Sequence, residues 1–178
     1  MPSPKQANVD VIAIADSSKP EGVRFELSSN LGSSNKLTFK NDKHPGFEVN
    51  FNLVDNDKTG CKFMHDPKEA MWVQKIEPGM PDPCPTSAMY WDQFEAKAVS
   101  KGDTQLAVRN LNEYEQEFAF SLRFTKPGWP DPILYDPIGN NQNGGRFSGS
   151  SPSSNTLNML LLAAGIAVVA FIAYRIWA

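Results

Sequence analysis

Phe47-Glu-Val-Asn-Phe-Asn-Leu53 and Phe118-Ala-Phe-Ser-Leu-Arg-Phe124 alternate large apolar residues with polar or small ones and do so without a fault. Successive side chains of an extended chain point to opposite faces, so period two puts every large residue of each stretch on one side. Both stretches read as strands with one buried face. Phe51 and Phe120 then lie toward a core, and Asn50 and Ser121 toward solvent.

Outward from these two, shorter alternations occur at Val23 to Leu27, Leu37 to Phe39, Met71 to Val73, Phe94 to Ala98 and Leu106 to Val108, and Val9 to Ala15 forms a further apolar run. Turn chemistry separates them: His44-Pro-Gly46, Asp55 to Gly60, Pro78 to Pro85, Lys101-Gly-Asp103 and Asn110-Leu-Asn112. No stretch before Leu157 carries a convincing helical period. Short strands at spacings near ten residues, without helices between them, predict an all-β fold: an antiparallel, immunoglobulin-like β-sandwich over residues 9–138. The Cys-Trp-Cys arrangement of antibody domains is not reproduced. Trp72 falls between Cys61 and Cys84, but Cys84 lies in a Pro-rich turn.

The composition is that of an ordinary globular chain. Of 178 residues 40% are hydrophobic and 21% charged, and 17 Lys and Arg against 20 Asp and Glu leave a net charge of -3. A mildly acidic chain lacks the dense cationic surface that phosphate backbones require, so no nucleic-acid partner is expected. It is too apolar to be disordered throughout.

A single C-terminal transmembrane helix is expected over Leu157 to Trp177. Asn158 and Arg175 are the only strongly polar side chains there, and 21 residues of helix would span about 31 Å, close to the hydrocarbon thickness of a bilayer. Tyr174 and Trp177 suit the interface, and Arg175 can reach the headgroups. Residues 139–156, rich in Gly, Ser and Asn, read as a linker of roughly 20–25 Å, and residues 1–8 as a flexible N-terminus. Met1 to Val9 shows no secretory signal, which predicts a tail-anchored, single-pass membrane protein with its head on the cytosolic side. Its first partner is the lipid bilayer. A homo-oligomer would form through Ala163, Ala167 and Ala170, small residues on one face of the span.

Asp55-Asn-Asp-Lys-Thr-Gly60 with Asp66 at the twelfth position partially fits a calcium loop, since alternating oxygen ligands on a tight turn can wrap a hard cation. A preceding strand in place of a helix, Lys62 at the eighth position and Asp at the twelfth favour a hairpin turn instead. His44, Cys61, His65 and Met71 are the ligand types of a copper sandwich, and Cys61, His65 and Cys84 are three zinc-type ligands without paired Cys spacing. No catalytic, cofactor or metal residue is assigned on these grounds. Two reduced thiols are expected in the cytosol.

Only two histidines are present, with no nucleophile elbow and no phosphate-binding glycine loop, so the chain reads as a non-enzyme. Glu113, Glu115 and Glu117 read as a charged edge that discourages strand-to-strand aggregation. In Lys126 to Ile138, Trp129, Ile133 and Ile138 are expected to fold back and cover the end of the sandwich. The functional expectation is a membrane-tethered sandwich that acts as a binding module or adaptor for a protein partner. Its alternatives are an extracytoplasmic copper or calcium sandwich and a structural envelope or shell component.

Overall fold

Phenylalanine and β-branched residues on one face of a strand are stable only when a second sheet closes over them. The computed structural model of the chain describes residues 3–32, 36–40, 45–80, 84–85, 87 and 92–142. Residues 157–177 lie outside these, as do residues 143–156 of the expected linker. No helix among the described residues is long and apolar enough to cross a membrane.

Two sheets are present. In the first, β2 (Val23–Ser29), β1 (Lys5–Ala15), β4 (Phe47–Val54), β8 (Gln105–Asn110) and β7 (Phe94–Ser100) lie side by side in that order. The second is built around β9 (Gln116–Lys126). On one edge β9 pairs β5 (Lys62–Phe63) and β6 (Met71–Lys75), and otherwise β10 (Trp129–Tyr135) and β11 (Ile138–Gln142), with β3 (Lys36–Lys40) beyond β11.

The all-β sandwich is as expected, but its sheets are mixed and not antiparallel throughout. β1 runs parallel to β4, with Val9 opposite Phe51, and β11 runs parallel to β3, with Gly139 opposite Leu37. The reason lies in the connections. β2 returns beside β1, and β3 then crosses to the other sheet before the chain re-enters as β4 on the free side of β1. Pairing with β4 also begins β1 at Lys5, so residues 5–8 belong to the sheet and not to a flexible N-terminus. β11 likewise takes residues 139–142 out of the linker.

Aromatic rings join the sheets. Phe25 stacks on Phe124 at 4.2 Å, Phe39 meets Phe47 edge-on at 5.1 Å, Phe94 lies 4.5 Å from Phe118, and Phe51 lies 5.9 Å from Phe120. Such pairs add about 0.5–1.5 kcal/mol each beyond the area they bury. β4 buries alternate residues as its pattern predicts.

β9 differs from its expectation: both its faces are buried, including Ala119, Ser121 and Arg123. Side chains brought over its second face from elsewhere in the chain explain this. Trp72 on β6 sits opposite Ser121, and the Arg123 guanidinium lies 3.7 Å from the centre of the Trp72 ring. Arg123 Nη1 also donates to the carbonyl of Glu69 (3.2 Å) and to its carboxylate, in the single helical turn α1 (Pro67–Ala70).

The segment after β9 does fold back. Lys126 pairs with Trp129 around Pro127-Gly128, Ile133 is buried, and Trp129 packs on the core half-buried. Ile138 is an exception, left 36% exposed at the start of β11.

Candidate functional site

The residues singled out by their chemistry are mostly used to build turns. Asp55 accepts from the backbone N–H of Thr59 and of Gly60, both at 2.8 Å, and Asp57 accepts from Ala15 N–H at 3.0 Å. Asp66 caps α1 by accepting from Lys68 N–H at 2.9 Å. The three carboxylates are therefore spent on three separate pieces of backbone, as turn and cap residues are. Among the described residues no three His, Cys, Asp or Glu side chains stand together as a metal group.

His44, a member of the copper-type set, lies outside the described residues. His65 is exposed, with Nδ1 3.0 Å from the carboxylate of Asp103, while Cys61 and Met71 are buried. No disulfide joins Cys61 to Cys84, and burial pushes the Cys61 thiol pKa up. The glutamates expected to guard an edge are differently placed. Glu117 lies on β9, inside its sheet, in an ion pair with Lys36 at 2.9 Å, while Glu113 exchanges hydrogen bonds with the buried Gln93. The edges are blunted by other means. β10 carries Pro130 and Pro132, which have no N–H to offer, and β7 carries a bulge together with the Glu95–Lys97 pair.

Two clefts among the described residues have room for a ligand. One of about 200 Å³ lies between β2 and β10 and mixes charges, with Lys19 and Arg24 beside Glu21. The other, of about 380 Å³, lies where the start of β1, the turn after β2, β3 and the start of β4 come together. Its volume is in the lower part of the range of ligand clefts. Ala7 and Phe47, both buried, give it an apolar floor. Lys5, Gln6, Asn30, Thr38 and Lys40 supply its polar lining among the described residues.

Local geometry holds the cleft open. Lys5 N–H donates to Gly46 O at 3.0 Å, which ties the start of β1 to the entry of β4, and the Lys5 ammonium lies 5.9 Å from the centre of the Phe47 ring. On the opposite wall, Leu31 N–H donates to the Ser29 hydroxyl (3.1 Å) and Thr38 N–H to Leu31 O (2.7 Å), which presses the turn against β3. Gly32 permits that approach, because a Cβ there would stand 2.1 Å from Lys36 O. Sequence reading did not find this cleft. Its lining comes from residues 5–7, 30–32, 38, 40 and 47, and no local motif links segments so far apart.

No protein-family model matches the chain, and comparison with curated proteins finds none similar to it.

Proposed function

We propose that the chain is a membrane-anchored binding module. In this reading Leu157–Trp177 crosses a bilayer once and holds the immunoglobulin-like sandwich on the cytosolic side, where it serves as a scaffold or adaptor for a protein partner. The observation that carries the proposal is the apolar span itself, 21 residues long and set behind a Gly/Ser/Asn-rich stretch that separates it from the sandwich. All the described residues fall in one unit, Met1–Gly145, consistent with a head that folds without the span. Cys61 and Cys84, unjoined by a disulfide, suit a reducing compartment. The cleft between the starts of β1 and β4 offers the head a binding surface.

Fractionation tests the anchor, and protection on sealed membranes tests its direction. The full chain should resist carbonate extraction, and removal of Leu157–Ala178 should release a folded, soluble head. Protease added outside sealed cells should leave the head intact. A full chain found in the soluble fraction refutes the anchor, and a head cleaved from outside refutes the cytosolic placement.

A further inference from the structure

A donor buried without an acceptor costs the native state its full desolvation, so buried donors in folded chains are almost always met. On the second sheet three neighbouring donors are not. The phenylalanines of β9 face the first sheet, and Ser121 and Arg123 face the other way. On that outer face Trp72 Nε1, Ser121 Oγ and Arg123 Nε are buried, and no hydrogen-bond partner among the described residues reaches any of them. The pairing of β6 with β9 brings them together. Trp72 sits opposite Ser121, and the guanidinium of Arg123, two residues further along the same face, lies 3.7 Å from the centre of the Trp72 ring. Ser121 is fully buried and Arg123 only 8% exposed. Arg123 is held from one side. Nη1 donates to the carbonyl and the carboxylate of Glu69, while Nε and Nη2, the side-on edge of the guanidinium, donate to nothing among the described residues.

We propose that these donors form the binding site for a carboxylate carried by an acidic side chain of a partner protein, with its two oxygens on Nε and Nη2 of Arg123 and further hydrogen bonds from Trp72 Nε1 and Ser121 Oγ. The inference rests on the reading of the head as a binding module and names the group its partner presents. Donor chemistry selects the occupant. Indole and guanidinium N–H groups can only donate, so what meets them must accept. An ionised carboxylate accepts at both oxygens and brings no proton, whereas a water brings two protons to a site where Ser121 Oγ is the sole acceptor of the three groups. The Nε and Nη2 edge presents two parallel N–H bonds at the spacing of carboxylate oxygens. Glu69 already offsets the guanidinium charge from the Nη1 side, which penalises a doubly charged phosphate more than a singly charged carboxylate. What flanks the site points to a side chain on a protein and not to a free ion. Leu134, opposite Arg123 on β10, and Ile138, opposite Ala119 on β11, are large apolar side chains left 50% and 36% exposed on the same face, and an arginine beside a tryptophan within an apolar surround is the usual make-up of a protein-binding centre.

The test uses the isotope-labelled full chain in detergent micelles and the peptide Ala-Leu-Glu-Leu-Ala, acetylated and amidated so that the Glu side chain is its one carboxylate. Binding is read from the N–H resonances of Trp72 Nε1 and Arg123 Nε, assigned with Trp72→Phe and Arg123→Lys. The Glu peptide is expected to bind and to move the Trp72 indole resonance downfield, and its Gln counterpart to bind about tenfold more weakly. Trp72→Phe keeps a ring beneath the guanidinium and removes the donor, so it should weaken the Glu peptide about tenfold. Arg123→Lys keeps the charge and removes the fork, and should weaken it by at least as much; if that variant does not fold, Trp72→Phe and the Gln peptide decide. Ser121→Ala deletes an unmet hydroxyl and should leave the Tm of the free chain unchanged or raised. No binding of the Glu peptide, equal binding of the Gln peptide, an unchanged affinity in Trp72→Phe, displacement by acetate at matched concentration, or a Tm lowered by more than about 3 °C in Ser121→Ala, which would mean that the hydroxyl is already met, each overturns the proposal. These failures leave the anchored reading standing if the chain still fractionates with membranes. A soluble full chain that binds the Glu peptide refutes the anchor alone.

Discussion

Gly139→Ala places a methyl group against the ring of Phe118. Gly139 on β11 lies opposite Phe118 on β9, and a Cβ there would stand 2.2 Å from Cζ, 2.4 Å from Cε2 and 2.9 Å from Cε1. Ordinary contact begins near 3.4 Å, so ring and strand must part by more than an ångström. Neither has room to move. Phe118 is fully buried, with Phe94 at 4.5 Å and Phe120 and Phe39 at 6.0 and 6.2 Å, and β11 is paired on both edges, to β9 and β3. Overpacking a close-packed core costs typically 1–3 kcal/mol, and the confinement here places the substitution at the upper end, about 3 kcal/mol. For a unit of this size that corresponds to a fall in Tm of about 10 °C. Urea and thermal unfolding of the full chain in mild detergent, followed by tryptophan fluorescence, measures it. Phe118→Leu alone should destabilise by leaving a cavity, whereas the double variant should lose at least about 1 kcal/mol less than the two single losses added together, because the smaller side chain vacates the space the methyl needs. A Gly139→Ala protein that melts within about 1 °C of the parent, or a double variant that is simply additive, refutes the contact.

Phe51→Asp or Phe120→Asp should unfold the head or cost about 4 kcal/mol or more, since each puts an unpaired carboxylate in the aromatic core, whereas the half-buried Asn50→Asp should cost under about 1 kcal/mol; equal losses would mean that the register of β4 is wrong. Ser121→Asp, which a solvent-facing position would tolerate, should instead cost about 2–3 kcal/mol in urea unfolding, because Ser121 is fully buried opposite Trp72. Burial pushes Tyr135 up to about 12, against a hydrogen bond to the Leu27 backbone that lowers it. Its folded pKa then lies above the unfolded value of 10.0, so the stability tied to it is whole below pH 10 and is lost as pH rises toward 12. Tyr135→Phe should flatten that part of the stability profile, and an unchanged slope would show that Tyr135 does not titrate there. A thiol reagent should modify the half-exposed Cys84 in the native protein and reach the buried Cys61 only after unfolding; early labelling of Cys61 would show that its site opens.

The strands at Phe47 to Leu53 and Phe118 to Phe124 were legible because alternation is a local consequence of the pleat, independent of what the strand pairs with. Turn positions were legible for the same reason, since Asp55 meets the N–H groups of Thr59 and Gly60 within its own loop. β10 was not legible as a strand: Lys126 to Ile138 read as a proline-rich segment that folds back, and its pairing with β9 around Pro127-Gly128 was found only in the structure. Partners are another matter. The parallel pairings of β1 with β4 and of β11 with β3 join segments about 40 and 100 residues apart, and nothing in either segment names the other. Burial of the second face of β9 needed Trp72 and Glu69 brought over Ser121 and Arg123 from another part of the chain. Gly139 carries the same lesson at one residue. Beside Asn140 and Asn141 it has the composition of a linker, and only the ring of Phe118 on the neighbouring strand makes it a position where a single methyl group has no space. The cleft was invisible for that reason too: Lys40 and Phe47 gain a common wall only when two sheets close, because proximity between them is set by packing and not by sequence spacing.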